Sequence, residues 1–157
     1  MAYFSRKGNN YVSGNIVNLP VGNTEVVAKM IQEMLQADIF RIDTVNAYPL
    51  DYHETTKVAG QELREKARPK LSAKVENIEQ YHLILLGYPN WWGTIPMSVA
   101  TFLTEYDFSG KTIAPFCTNE GSGLGSSVTD IKKLCPHSTI LEGLAIRGGD
   151  AEKAQNA

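Results

Sequence analysis

Short apolar runs alternate along the chain with segments whose apolar residues recur at helical spacing. Ala2-Tyr3-Phe4, Asp38 to Ile42, Tyr81 to Gly87, Thr112 to Phe116 and Ile140 to Ile146 have the length and composition of strands. The third, YHLILLG, is apolar almost throughout, as expected of a central parallel strand covered on both faces. Four helical patterns lie between the runs. Val27, Met30, Ile31, Met34 and Leu35 follow i, i+3, i+4, i+7, i+8 and predict an apolar stripe facing a core. Asp51, three residues ahead of Glu54, predicts the cap of a polar helix that ends before Pro69. Pro96 to Glu105 carries proline in its first turn, and Ser127 to Leu134 is stopped by Pro136.

This alternation predicts an α/β fold: a doubly wound, five-stranded parallel sheet with helices on both faces. In such sheets ligands sit outside the carboxyl ends of the strands, where the strand order reverses. Three loops therefore carry the candidate chemistry.

The first loop contains two similar turns, Gly8-Asn9-Asn10 and Gly22-Asn23-Thr24. A helix start attracts phosphate because its first N–H groups are unpaired and its dipole is positive there. Only Gly22-Asn23-Thr24 leads into the apolar stripe, so it is the expected phosphate turn, with the Ser5 hydroxyl at the strand end beside it. Residues 8 to 21 then form an insertion, a small hairpin or lid around Ser13-Gly14-Asn15. An ordinary capped helix start would read the same way in isolation.

GYPNWWGTIP, residues 87 to 96, follows the central strand. Trp91 and Trp92 are adjacent and cannot both point inward, so at least one is expected at the crevice mouth as a stacking surface. Packing on a neighbouring helix or at a dimer contact is the alternative. CTNEGSGLGSS, residues 117 to 127, has three glycines within five residues, which lets backbone N–H groups approach a ligand; a flexible turn is the alternative. Glu120 is the one side chain there suited to acid–base work. All three loops fall at one sheet edge, and together they suit a phosphorylated planar cofactor.

No serine has glycine at both −2 and +2, and there is no G-x-x-x-x-G-K-[ST] run, so neither a hydrolase elbow nor a P-loop is indicated. The 157 residues are expected to form one domain. Fifteen basic against seventeen acidic side chains leave no surplus for nucleic acid. With no apolar run of eighteen residues and no leader pattern, a cytoplasmic protein is expected. Cys117 and Cys135 lack Cys-x-x-Cys spacing and read as reduced, buried thiols, a disulfide remaining open. The three histidines are far apart, so no metal site is expected.

AYFSR (2–6), GNTEVVA (22–28), YPLDY (48–52), GYPNWWGTIP (87–96), DFSGKTIAPFCTNEGSGLG (107–125) and GLAIRG (143–148) resemble the flavodoxin-like FMN-binding proteins, specifically a bacterial branch of short flavodoxins. The resemblance covers nearly the whole chain and implies strand order 2-1-3-4-5 with FMN as cofactor. It implies that Ser5, Arg6, Gly22, Asn23 and Thr24 surround the FMN phosphate. Pro89, Asn90, Trp91, Trp92 and Gly93 would line one side of the ring, and Thr118, Asn119, Glu120, Gly121 and Gly123 the other. Tyr48 and Tyr52 fall in a matching motif, with a structural role the simpler reading. The chain departs from the pattern in its insertion, its short first strand, its brief polar end DAEKAQNA, and Asn119 where many relatives carry histidine.

The implied function is electron transfer with a redox partner protein or a small quinone-like acceptor, by a monomer or homodimer. A second reading is an NAD(P)H-dependent quinone reductase, favoured by the mild net charge of −2. A third class is a non-redox or degenerate binding module.

Overall fold

The computed structural model describes residues 1–156. Its elements are β1 (Ala2–Tyr3), β2 (Gly8–Val12), β3 (Asn15–Leu19), α1 (Asn23–Leu35), β4 (Phe40–Arg41) and α2 (Tyr52–Glu65). They continue with β5 (Leu83–Pro89), α3 (Met97–Glu105), β6 (Thr112–Asn119), α4 (Ser127–Leu134), β7 (Thr139–Ile140) and β8 (Leu144–Arg147). A 3-10 segment, Gly148–Asn156, comes last. The main sheet runs β4-β1-β5-β6-β7, all parallel, with β8 also beside β6. This is the expected order 2-1-3-4-5, with the fifth strand in two pieces. Among the described residues, no helix is long and apolar enough to cross a membrane.

The apolar runs alternate between two cores, as the period of a strand requires. Ala2, Phe4, Leu86, Tyr88 and Ile113 pack with Phe102 of α3 and Ile131 of α4, whereas Tyr3 and Phe116 pack with Val27 and Ala28 of α1. Gly87 allows the sheet to be this tight: a Cβ there would lie 2.2 Å from the Phe116 ring. Asp51 caps α2 by accepting from the Glu54 amide at 2.9 Å, and α4 ends at Leu134, directly before Cys135-Pro136.

Two expectations change. The α1 stripe is buried only at its start: Met34 and Leu35 are 64% and 60% exposed. The apolar cluster under α1 holds Val27 and Ala28, with Val26 and Ile31 at its edge, and does not extend to Met34 and Leu35 in the last turn of this 13-residue helix. The predicted strand 140–146 is interrupted. Ile113 pairs with Ile140 and Phe116 with Leu144, so four steps on the fifth strand face three on β6. Odd residues of β6 face this strand, the Ile113 carbonyl accepting from the Leu141 amide, and the next odd residue is Pro115, which has no N–H. The chain bulges there, with Gly143 at φ +88°.

The insertion is a separate antiparallel hairpin, β2 paired with β3 from Gly8↔Leu19 to Val12↔Asn15. Its two-residue loop has Ser13 at φ 49° and Gly14 at φ 91°. Positive φ at both positions gives a turn whose twist matches that of the strands.

Candidate functional site

A cleft of about 410 Å³ opens at the carboxyl ends of β1, β5 and β6. Its floor at one end is the start of α1. Gly22 touches the end of β1 so closely that a Cβ would lie 2.3 Å from Ser5 Oγ and 2.5 Å from the Arg6 carbonyl oxygen. This contact brings the helix start onto the strand end. No side chain caps the helix from Gly22; instead Ser5 Oγ accepts from the Glu25 amide at 3.1 Å. Among the described residues, the Asn23 and Thr24 amides have no protein acceptor. Thr24, fully buried, shares a 2.7 Å hydrogen bond with the Thr118 hydroxyl at the end of β6. Burial would raise the Glu25 carboxyl, but hydrogen bonds from Lys29 and Arg41 outweigh it and hold it below its ordinary value.

Arg6 lines the cleft, but its guanidinium is engaged: it donates to the carbonyls of Lys7, Asn9, Pro49 and Leu50. It clamps the hairpin base to the loop before α2. The hairpin arches from there across the cleft, where Asn10 and Tyr11 line the wall and Tyr11 packs on Tyr52 at 6.2 Å. At its tip the Ser13 amide donates to Glu120 Oε2 at 2.8 Å. The other oxygen of that carboxylate, Oε1, is buried without a hydrogen-bond partner.

The tryptophans divide as their adjacency requires. Trp91 turns toward the core, edge-on to Phe4 and Tyr48 at 5.1 and 5.0 Å. Trp92, at φ 55°, lies over Gly60 of α2, donates to the Thr56 carbonyl at 3.0 Å and stays 59% exposed. Beneath them the Tyr48 hydroxyl donates to Glu62 at 2.7 Å; burial raises both groups above their ordinary values. Tyr48 thus supports the Trp91 wall from behind.

Two asparagines at the strand ends organise the loops. Asn90 accepts from the Gly93 amide and donates to the Gly123 carbonyl, each at 2.9 Å, joining the 90–93 turn to the glycine loop. Asn119 accepts from the Gly121 and Gly123 amides at 2.9 and 3.0 Å and donates to Ile146. These two glycine amides, expected to face a ligand, are therefore satisfied within the loop.

Of the expected residues, Ser5, Arg6, Asn23, Thr24, Pro89, Asn90, Trp91, Trp92, Thr118, Asn119 and Glu120 line the cleft. Gly22, Gly93, Gly121 and Gly123 are not among its lining residues but shape its loops. The sequence pattern did not reveal Asn10, Tyr11, Thr55, Thr56, Ala59, Ser122 and Gly148 as lining residues and left the role of Tyr52 open. Tyr52, Thr55, Thr56 and Ala59 sit at i, i+3, i+4, i+7 of α2, a stripe of mostly polar or small residues that signals a face turned to a cavity. In the core, burial pushes the Cys117 thiol up to about 12 and Cys135 to about 11, and both are free cysteines.

A 2-1-3-4-5 sheet with an uncapped helix start, a tryptophan wall and a glycine loop around one cleft defines a flavodoxin-type α/β protein. The sequence profile described as Flavodoxin matches residues 16–156, and the chain belongs to that FMN-binding family. The Flavodoxin 1 proteins of Escherichia coli K12 and Salmonella typhimurium are each 32% identical over 109 residues, 67% of this chain. The chain spans about half the length of these relatives, 48%. A crystal structure from Bacteroides eggerthii, provisionally called a flavoprotein, is 28% identical with a TM-score of 0.76, covering 99% of this chain and 93% of that one. A Lactobacillus acidophilus flavoprotein solved in complex with FMN shares the fold at 19% identity and TM-score 0.70, covering 98% and 94%.

Proposed function

We propose that the cleft holds FMN and that the protein transfers electrons to a redox partner protein or a small quinone-like acceptor. One observation carries this reading. The unpaired Asn23 and Thr24 amides and the Trp91–Trp92 pair line opposite parts of the same cleft, whose volume is that of a ligand site. The donor set fits FMN: two helix-start amides and the Ser5 hydroxyl suit a phosphate, and the indoles suit a planar ring.

In this reading Ser5, Asn23 and Thr24 bind the phosphate, while Gly22 brings the helix start to them and Arg6 fixes the roof. Pro89, Asn90, Trp91, Trp92 and Gly93 form one side of the ring site, and Thr118, Asn119, Glu120, Gly121 and Gly123 the other. Bound FMN supplies one- and two-electron redox chemistry; the chain binds it, orients it and excludes water. The mild net charge of −2 keeps a second reading in play, an NAD(P)H-dependent quinone reductase on the same scaffold.

Purified protein titrated with FMN should quench flavin fluorescence and retain a two-band yellow spectrum after gel filtration. A colourless protein would end the proposal. With the loaded protein, steady turnover of NAD(P)H and a quinone identifies the enzyme, and its absence identifies the carrier.

A further inference from the structure

We propose that Glu120 is a ligand-positioning residue. One carboxylate oxygen accepts a hydrogen bond from a hydroxyl of the flavin's polyol chain, while the other holds the hairpin above it. This rests on the FMN reading above.

Glu120 comes directly after the last residue of β6 and is held at one oxygen only, by the Ser13 amide at 2.8 Å. Its Oε1 is buried with no donor among the described residues, an arrangement that folding alone disfavours. The position of that oxygen is defined by Gly148. A Cβ built there would lie 2.2 Å from Glu120 Oε1 and 2.4 Å from Asn23 Nδ2, so both atoms flank Gly148 with no hydrogen bond between them. The orphan acceptor therefore sits beside the start of α1, whereas Trp92 lies over Gly60 of α2. A carboxylate repels a phosphate, so the group it receives is an uncharged donor. Between the phosphate and the ring of FMN, the donors are the polyol hydroxyls. Glu120 and Ser13 also border a second, polar cavity of about 480 Å³ lined by Arg147 and Asp150, so the Ser13–Glu120 bond partitions the two spaces.

The test titrates wild type, Glu120→Ala and Glu120→Gln with FMN, riboflavin (polyol without phosphate) and lumiflavin (ring alone), reading flavin fluorescence. Glu120→Ala should weaken riboflavin about tenfold more than it weakens lumiflavin. FMN should lose less than riboflavin, because the substitution also removes a negative charge near the phosphate. Glu120→Gln, with one acceptor oxygen for two donors, should fall between. Hydrogen exchange of the ligand-free protein should speed up at Ser13 in both variants. Equal change for all three ligands, or no change for any, would overturn the positioning role and leave the FMN reading intact. Wild type that binds none of the three overturns both.

Discussion

Gly8-Asn9-Asn10 and Gly22-Asn23-Thr24 are nearly the same tripeptide, fourteen residues apart, and they do opposite things. Gly8 sits at φ +94° and starts a strand; Gly22 is extended at φ −70°, ψ 149° and starts a helix. The residues downstream of each turn decide the outcome. Apolar residues at a spacing of three and four succeed Thr24, whereas a two-residue left-handed loop succeeds Val12 and folds the Gly8–Val12 strand back on itself. The glycines are also needed for different reasons. Gly22 needs space, since its neighbours are the Ser5 hydroxyl and the Arg6 carbonyl. Gly8 needs conformational freedom as well as space, with the Leu50 carbonyl 2.9 Å from where a Cβ would be.

The contrast can be broken by substitution. Gly22→Ala should be the most damaging, destabilising the protein by about 3 kcal/mol in denaturant unfolding and abolishing FMN binding, because strand end and helix start must separate. Thr24→Val strands the buried Thr118 hydroxyl and should cost about 2 kcal/mol; adding Thr118→Val should cost much less than a second such loss. Gly8→Ala should cost about 1.5 kcal/mol, and Gly14→Ala, whose Cβ would meet nothing within 4 Å, about 1 kcal/mol from its positive φ alone. If Gly8→Ala proved worse than Gly22→Ala, the roles of the two turns would have to be exchanged.

The smallest effect is acid sensitivity, which should belong to the helix turn alone. Glu25, directly after Thr24, has its carboxyl held low in the folded protein by Lys29 and Arg41 against the opposing effect of burial. A lowered folded value contributes stability above the unfolded value, and that contribution disappears as pH falls through the folded one. Gly8, Asn9 and Asn10 carry no titrating group. Thermal melts between about pH 3 and 6 should therefore show a shallower acid decline in Glu25→Gln than in wild type.

Much of the fold and the site was readable in the sequence because local signals agreed with one another. The alternation of strands and helices, the four helices, the helix opened by Gly22-Asn23-Thr24 and the parting of Trp91 from Trp92 rest on spacing and adjacency, whereas the strand order came from the resemblance. What escaped depends on contacts between distant segments. Arg6 reads as a phosphate cation until the carbonyls of residues 49 and 50 are found beside it. The glycine loop reads as a row of free amides until Asn119 folds back over it. The bulge in the last strand needed the place of Pro115 in the ladder to become visible, and exposure of Met34 and Leu35 needed the extent of the apolar cluster under α1.

Cys117 is fully buried one residue before Thr118, which lines the cleft. Burial pushes its thiol up to about 12, so it stays protonated at neutral pH, and the thiolate is the form that peroxide attacks. The packing that completes the sheet thereby slows the chemical ageing of the protein, keeping an oxidisable sulfur as an inert thiol.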